Sequence, residues 1–292
     1  MLIALLRLVA RLPLSFFHAL GAQLGRIAYL TSPRFSRRLQ ENLRASGVCA
    51  DEAHFRRLLK ANVAESGRQG IEFIPLWFRD AARSAALVRR CTGEQDVLDA
   101  YAEGRGVVLL TPHLGCFEVS AIYAAQRFPI TVLYRQPHVK ALDRLIVAGR
   151  GRGQEKLAPA TLKGVRALIK ALRDGEAVGI LPDQVPGNGE GVWVDFFGRP
   201  AYTMTLIGRL CQITRPAVFV AMARRLPRGA GFEIDVRRVD GDLSGEAGAR
   251  RINAAIEDAV RRCPEQYLWG YNRYKHPAGA PLPPAQGVNR ET

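Results

Sequence analysis

The sequence has few cysteines and no pattern that would make them disulfide partners or metal ligands. Their number is odd, and none of them forms a Cys-x-x-Cys pair. No His-Glu-x-x-His run is present either, so we predict neither a zinc site nor a disulfide framework. The pattern favours a reducing, cytosolic environment. The five cysteines are Cys49, Cys91, Cys116, Cys211 and Cys263.

Two common motifs of catalysis and cofactor binding are also missing. The Gly-x-Ser-x-Gly turn of many serine hydrolases is absent. The glycine-rich run at 149–153 does not follow a predicted strand and lacks the Gly-x-Gly-x-x-Gly spacing of a dinucleotide site. We therefore expect no cofactor. The run is either an exposed basic turn or a site where backbone amides and arginines bind an anionic group.

A long uncharged apolar segment is missing as well. The longest such stretch near the N-terminus, residues 12–25, is shorter than the ~20 residues that cross a bilayer as a helix. Apolar residues still recur at helical spacing through residues 1–30, with Arg7, Arg11 and His18 on one stripe. We predict a membrane-associated helix over 1–30, either interfacial or marginally spanning. A helix docked on the core of the protein is the alternative, and a signal peptide fits poorly.

What the chain has in excess is positive charge. Its 42 Lys and Arg residues against 27 Asp and Glu residues give a net charge of +15, and only six of them are lysines. This charge implies acidic partners, such as anionic lipid head groups, a phosphorylated substrate, an acidic protein or nucleic acid. Nucleic acid is disfavoured because the basic residues are scattered and no helix-turn-helix pattern is found. A solvated arginine-rich surface is the plain alternative for many of these residues.

The hydrophobic pattern predicts an α/β fold with a mixed, mostly parallel sheet flanked by helices on both faces. Up to about residue 80 the chain has helical spacing, and beyond it short apolar strands alternate with amphipathic helices. We expect a main domain over 31–276, helical over 31–80 and α/β over 81–276, followed by a disordered tail at 277–292. The predicted strands are 107–110, 130–134, 177–181, 217–222 and 232–239. The predicted helices after residue 80 are 94–102, 117–126, 137–148, 161–173, 203–212 and 244–263.

A histidine and a glutamate follow the first of these strands, in the run GVVLLTPHLGCFE at 106–118. This places His113 at the carboxyl end of a buried strand, where open α/β sheets have their sites. Glu118 falls in the first turn of the next helix. An imidazole with a carboxylate beside it is suited to removing a proton from a hydroxyl group. A purely structural histidine is the alternative.

This run resembles the His-x4-Asp/Glu signature of glycerolipid-type acyltransferases. Three further stretches resemble one branch of them, the lipid A late acyltransferases, which transfer lauroyl or myristoyl groups. Together they cover most of the chain from about residue 100 onward. These stretches are YRQP at 134–137, LPDQVPGNGEGVWVDFFGRPAYT at 181–203 and PEQYLWGYNRYK at 264–275.

The resemblance implies transfer of a fatty acyl chain from acyl carrier protein to a hydroxyl group of a lipid A precursor. The partners would be the carrier protein, a phosphorylated glycolipid and the anionic cytoplasmic face of the bacterial inner membrane. His113 would act as the general base, and Glu118 would hold and stabilise its imidazolium form. Acyl chain length, donor type and acceptor position stay open. Another glycolipid or lysophospholipid acceptor, or a non-enzymatic basic membrane- or nucleic-acid-binding protein, remains the alternative.

Further candidate residues follow two other predicted strands or lie in the glycine-rich run at 149–153. Arg135 follows the second strand, and the resemblance implies that it lines the site and binds a substrate phosphate or the acyl carbonyl. An ion pair at the sheet edge is the alternative. The resemblance points to Arg150 as a pocket arginine that stabilises the thioester oxygen. It also points to Asp183 as a residue that binds the acceptor or orders the arginines. The alternative is that Asp183 only caps the end of its strand.

An aromatic pair next to a glycine is the candidate for acyl-chain binding. Phe196, Phe197 and Gly198 would offer an apolar surface beside a flexible turn, although aromatic residues of this kind more often belong to the core. Glu265, Gln266 and Tyr267 in the last matching stretch are expected to support the pocket rather than to react.

Overall fold

The computed structural model describes residues 2–137, 140–151, 153–187 and 189–284. Within these ranges twelve α-helices and nine strands are found. Helices α1 to α12 are Leu2–Val9, Leu14–Thr31, Pro33–Ala45, Glu52–Ile71, Phe73–Phe78, Ala81–Ala85, Glu94–Ala102, Phe117–Ala124, Lys140–Gly149, Leu162–Arg173, Leu206–Thr214 and Gly245–Arg262. Strands β1 to β9 are Val88–Thr92, Val107–Leu110, Ile130–Tyr134, Glu155–Pro159, Ala177–Ile180, Gly191–Phe196, Arg199–Met204, Ala217–Arg225 and Phe232–Arg238.

Seven of these strands form one sheet in the order β1-β9-β8-β2-β5-β3-β4. All neighbouring strands are parallel except β8 and β9, which are antiparallel. Strands β6 and β7 form a separate antiparallel hairpin. The predicted fold class, a mixed and mostly parallel sheet flanked by helices, is thus confirmed.

The central strands are apolar because helices cover both faces of the sheet. In β2 the side chains alternate, so that Val108 and Leu110 pack in one core and Val107 and Leu109 pack in the other. All four residues are buried. Strand β5 lies beside β2 with Leu110 opposite Ile180, so the two strands end at the same level.

The sequence prediction missed the two edge strands and the hairpin. β1 and β4 carry charged residues and have no apolar run that would mark them as strands. The predicted helix 203–212 begins too early, because Thr203 lies in β7 opposite Val192 and the helix starts at Leu206. Of the predicted tail, residues 285–292 lie outside the described residues, and the Trp193 indole donates to the carbonyl of Pro281 at 2.8 Å.

The N-terminal segment is two helices instead of one, because the chain breaks between α1 and α2 at residues 10–13. Helix α2 packs closely on α4, where the carbonyl oxygen of Gly21 would lie 1.9 Å from a Cβ at Gly67. The exposed faces of α1 and α2 are apolar. Among the described residues no single helix meets the criteria for a membrane span; α1 and α2 meet them only together, with a bend of 106°. The exposed apolar residues are Ile3, Leu5, Leu8, Leu12, Phe16, Leu20, Leu24, Ile27 and Leu30.

A buried ionic cluster joins the N-terminal helices to the sheet. Arg225, at the end of β8, donates from Nε to Glu72 Oε2 at 2.7 Å and from Nη1 to Glu65 Oε2 at 3.3 Å. Its Nη2 donates to the carbonyl of Gly115 at 2.7 Å. His18, which the sequence pattern puts on one stripe with Arg7 and Arg11, is buried, with Nε2 3.5 Å from Glu72 Oε2. Burial raises the pKa of Glu72, but Arg225 and His18 lower it further, to below its ordinary value.

Candidate active site

The candidate site lies where β2 and β5 end side by side. His113 follows β2 and Asp183 follows β5, so the parallel register brings the two loops together at the carboxyl edge of the sheet. His113 Nδ1 lies 2.8 Å from Asp183 Oδ1, and the backbone amide of His113 donates to Asp183 Oδ2 at 2.9 Å. One carboxylate therefore holds both the ring and the backbone of the histidine.

These contacts assign the tautomer of the imidazole. The Asp183 carboxylate only accepts hydrogen bonds, so Nδ1 carries the hydrogen and Nε2 keeps its lone pair. The amide nitrogen of Gln184 lies 3.1 Å from Nε2 and donates to it. Nε2 is the basic atom of the site, and its present partner is a side chain that a substrate hydroxyl can replace.

Asp183 is buried and ionised. Burial raises the pKa of its carboxyl group, but the charge and hydrogen bonds of His113, together with the charge of Arg273, bring that pKa below its ordinary value. Arg273 is itself buried and donates to the carbonyl of Tyr202 at 2.7 Å. The loop after Asp183 is held by a hydrogen bond of 2.9 Å from the backbone amide of Val185 to the Tyr271 hydroxyl.

The histidine loop is fixed by backbone contacts on both sides. Gly115 has φ +61°, and a Cβ there would lie 2.0 Å from the carbonyl oxygen of Ala223, so no other residue fits without a shift. The amide of Gly115 donates to the carbonyl of Gln266 at 3.0 Å, and the amide of Leu268 donates to the carbonyl of His113 at 3.1 Å. The loop therefore forms part of a short ladder with the segment after α12.

Two buried asparagines on the N-terminal helices hold that C-terminal segment in turn. Asn62 donates to the carbonyls of Glu265 and Tyr267 at 2.8 and 2.7 Å. Asn42 donates to the carbonyls of Trp269 and Tyr271 at 2.8 and 3.0 Å. The segment 265–271 thus supports the histidine loop. A supporting role was predicted for its first three residues, Glu265, Gln266 and Tyr267.

The predicted pair of His113 and Glu118 is wrong. Glu118 accepts hydrogen bonds from the Trp77 indole at 2.8 Å and from Arg150 Nε at 2.9 Å, and Arg150 Nη2 also contacts it. Neighbouring residues on a helix point about 100° apart. Phe117 faces His113, with ring centroids 4.9 Å apart, and the first turn of α8 therefore directs Glu118 away from it.

Arg150, at the end of α9, is the ion-pair partner of Glu118. Burial lowers the pKa of its guanidinium group, but Glu118 raises it further, to above the ordinary value. The guanidinium carbon lies 5.3 Å from the Trp77 ring centroid, and Gly149 leaves room for that ring. In the glycine-rich run, Arg152 lies outside the described residues.

Arg135 follows β3 at the same edge of the sheet and is exposed. It lies near Tyr271, whose hydroxyl pKa burial raises and Arg135 lowers in part. Within the described part of the chain no carboxylate forms an ion pair with Arg135, which leaves it available to an anionic ligand.

Phe196 and Phe197 lie in the core instead of on a cleft. Their side chains are 1% and 5% exposed, and their rings contact Tyr267 and Trp269 at centroid distances of 6.1 and 5.3 Å. Gly198 has φ +69° and forms the exposed turn between β6 and β7. This packing argues against the acyl-chain role predicted for these residues.

An apolar pocket lies beside the histidine loop and runs along the sheet under α8. Gly179 forms part of its floor, and Glu118 and Arg150 lie on its wall. The lining extends from Thr111 and Leu181, at the carboxyl edge, to Ile130 near the opposite edge, roughly 13 Å at 3.3 Å per strand residue. The remaining lining residues are Leu109, Phe117, Ser120, Ala121, Val132 and Glu155.

Cys116 lies inside the motif but is not placed to react. Cys116 is fully buried, and burial raises the pKa of its thiol well above the ordinary value, so it is not poised as a nucleophile. In the ranges that the structure describes, no three His, Cys, Asp or Glu side chains are grouped as metal ligands.

Sequence reasoning missed Gln184 and Trp77 as members of the site. Gln184 is the residue after Asp183 in the matching stretch 181–203, and this position could have identified it. Trp77 lies 41 positions before Glu118, and no local pattern connects the two residues.

Comparison with known proteins places the chain among enzymes of one pathway. The family model described as bacterial lipid A biosynthesis acyltransferase matches residues 1–276. The lipid A biosynthesis lauroyltransferase of Escherichia coli (strain K12) is 27% identical over 96% of this chain and 92% of the relative. The lipid A biosynthesis palmitoleoyltransferase of the same organism is 25% identical over 94% and 89%. A lipid A biosynthesis acyltransferase of Haemophilus influenzae is 29% identical over 61% and 56%.

Proposed function

This chain belongs to the bacterial lipid A biosynthesis acyltransferase family, and we propose that it transfers a fatty acyl chain from acyl carrier protein to a hydroxyl group of a lipid A precursor. The observation that carries the proposal is the buried pair of His113 and Asp183 beside an apolar pocket. An oriented base next to a pocket for a hydrocarbon chain is what acyl transfer to an alcohol requires.

In this proposal His113 Nε2 takes the proton of the acceptor hydroxyl. The alcohol oxygen attacks the carbonyl carbon of the thioester, and the carbon–sulfur bond breaks. The imidazolium proton then passes to the leaving thiolate, so the products are an ester and the free thiol of the carrier protein. The Asp183 carboxylate holds the ring and stabilises its cationic form, the role first expected of Glu118.

Glu118 then acts through Arg150. The carboxylate holds the guanidinium on the pocket wall, where its charge stabilises the negative charge that develops on the thioester oxygen. The exposed Arg135 at the same edge is assigned to a phosphate group of the acceptor, since a guanidinium matches phosphate geometry.

The acyl chain is assigned to the apolar pocket under α8, whose enclosed space holds about one water molecule in this structure, so the side chains of its wall must move apart to admit a hydrocarbon chain. Phe117 lines this pocket and contacts the imidazole, so a thioester carbonyl near Nε2 would have its hydrocarbon chain directed past Phe117 and over Gly179. The buried rings of Phe196 and Phe197 offer no comparable cleft.

The membrane is the proposed source of the acceptor. The exposed apolar faces of α1 and α2 are suited to insertion at a lipid interface, with Arg7, Arg11 and Arg26 beside anionic head groups. We place the enzyme on the cytoplasmic face of the bacterial inner membrane. The net charge of +15 fits an acidic carrier protein and a phosphorylated glycolipid.

Product analysis tests this function. Purified protein is incubated with acyl carrier protein bearing a labelled acyl chain and, in separate reactions, with a lipid A precursor, another glycolipid or a lysophospholipid. Mass spectrometry is expected to show one added acyl chain on the lipid A precursor alone. Equal or faster acylation of a lysophospholipid would contradict the proposed acceptor.

A further inference from the structure

Helix α10 carries a stripe of basic side chains on its exposed face. Lys163, Arg166, Lys170 and Arg173 follow one another at spacings of three, four and three residues, which places them within an arc of about 80°. All four are exposed, while the opposite arc of the helix packs Leu168, Ala171 and Leu172 into the core. We refer to these four residues as the α10 stripe.

The α10 stripe keeps most of its charge uncompensated. Lys170 pairs with Asp174, whereas across the described ranges no carboxylate lies within ion-pair distance of Lys163, Arg166 or Arg173. The stripe therefore presents about three net positive charges on one helix face. Such a face attracts an acidic surface and speeds its association at low ionic strength.

The stripe begins close to the catalytic edge of the sheet. Helix α10 starts three residues after the end of β4, and Tyr134 and Pro159 pair at the carboxyl ends of β3 and β4. From β2, which leads to His113, to β4 is three strand spacings, roughly 14 Å at 4.8 Å each. A partner bound at the start of this helix would therefore lie close to the loop that carries the imidazole.

A lipid surface is the poorer match for the same charges. Leu162 is the exposed large apolar residue of α10, so the helix offers little surface to bury among acyl chains. Helix α2, which carries most of the exposed apolar residues, contacts the turn between β8 and β9, on the side of β2 away from β4. The two halves of the sheet thus carry different surfaces, one apolar and one basic.

We propose that the α10 stripe is the docking surface for the acidic carrier protein that delivers the acyl thioester. This inference rests on the proposed function and adds the place from which the donor enters. The carrier protein binds on the flank of the sheet, and its flexible thioester-bearing arm passes over the ends of β4 and β3 to His113.

Charge reversal tests this surface. The triple variant Lys163→Glu, Arg166→Glu and Arg173→Glu is compared with wild type for two donors, acyl carrier protein and acyl-pantetheine, which carries the same thioester without protein or phosphate. KM for the carrier protein is expected to rise ~10-fold or more, and its salt dependence is expected to flatten. KM for acyl-pantetheine is expected to stay the same.

A matched control separates docking from net charge. Arg56→Glu, Arg57→Glu and Lys60→Glu together change the charge equally on the exposed face of α4 and are expected to leave both KM values unchanged. A neutral variant of the stripe, with glutamine at positions 163, 166 and 173, is expected to give a smaller effect in the same direction. Thermal unfolding of each variant checks its folding.

Several results would overturn the docking surface. Equal KM values for the carrier protein in the α10 and α4 variants would exclude it, as would an equal rise in KM for acyl-pantetheine. Loss of binding to vesicles containing phosphatidylglycerol, with KM for the carrier protein unchanged, would assign the stripe to the membrane. If wild type made no product from either donor, the proposed function itself would fail.

Discussion

Two buried charged clusters meet at the loop 113–116 and differ in how completely their atoms are paired. Around Gly115, the guanidinium of Arg225 is surrounded by the carboxylates of Glu65 and Glu72 and by a backbone carbonyl. Around His113, Asp183 occupies Nδ1, while among the described residues Nε2 is hydrogen-bonded by the side-chain amide of Gln184 alone. The first cluster holds the loop in place, and the second keeps one basic atom accessible through a partner that can be displaced.

The largest effect is expected from breaking the second cluster. Asp183→Asn removes the charge that stabilises the imidazolium, so kcat is expected to fall by about 10²–10⁴ with little change in the unfolding temperature. Steady-state kinetics with acyl carrier protein and the lipid A precursor measure this. Asp195→Asn, an exposed site on the hairpin, is the control. A fall in activity that simply tracked loss of folded protein would reduce Asp183 to a structural residue.

Breaking the first cluster is expected to cost stability instead. Arg225→Met leaves the buried carboxylate of Glu72 without its guanidinium partner and leaves Glu65 paired with Arg68 alone, which is expected to lower the free energy of unfolding by about 3–5 kcal/mol. Denaturant unfolding at neutral pH measures this loss. Arg224→Met at the next position removes an exposed pair with Glu233 and is expected to cost ~0–1 kcal/mol. Similar losses of unfolding free energy in the two variants would contradict the claim that the buried pairs of Arg225 stabilise the fold more than the exposed pair of Arg224.

The stability lost in Arg225→Met is expected to depend on pH. In the wild type the pKa of Glu72 is below its ordinary value, so its ionisation stabilises the fold above the unfolded-state pKa of ~4.3 and less so as pH falls through the folded value. Without Arg225, burial becomes the dominant influence and raises that pKa. The stability gap between wild type and Arg225→Met is therefore expected to shrink as pH falls, starting above ~4.3, where the raised pKa of Glu72 in the variant is crossed, and closing below the lowered pKa of Glu72 in the wild type. A gap that stayed constant would contradict this assignment.

A smaller effect is expected from Glu118→Gln, because Glu118 touches Arg150 and Trp77 and not the imidazole. We expect kcat to fall by about 10–100-fold, which corresponds to ~1.4–2.8 kcal/mol. The acidic limb of the pH profile is expected to stay in place, since the surroundings of His113 are unchanged. Gln95→Glu, on the exposed face of α7, controls for a change of one charge. A displaced acidic limb in Glu118→Gln would restore the pairing first expected from the sequence.

The smallest effect concerns the pocket. At Gly179 an added Cβ would lie 3.2 Å from Val132 Cγ2, so Gly179→Val narrows the floor after a small shift. We expect kcat/KM for the longest accepted acyl chain to fall about tenfold, the effect of excluding one methylene, while shorter chains are spared. A donor series of increasing chain length measures this, with Gly70→Val in open space on α4 as control. An unchanged chain-length preference would contradict the assignment of the acyl chain to this pocket.

The sequence allowed prediction of what depends on local pattern. Buried strands such as β2 and β5 are short apolar runs, and His113 and Asp183 each follow one of them, so both were identified as site candidates. The partner of His113 was assigned wrongly because it lies 70 positions away and meets the ring only through the register of two strands. The edge strands were missed for a related reason, since charged edges lack the apolar run that marks a buried strand.

The most direct test of the central claim is turnover of His113→Ala. Transfer of a labelled acyl chain from acyl carrier protein to the lipid A precursor is measured for wild type, His113→Ala and His276→Ala, an exposed histidine that serves as control. We predict that His113→Ala loses about 10²–10⁴ in turnover while it stays folded at the assay temperature, and that His276→Ala is unaffected. Turnover of His113→Ala within a few-fold of wild type would contradict the account.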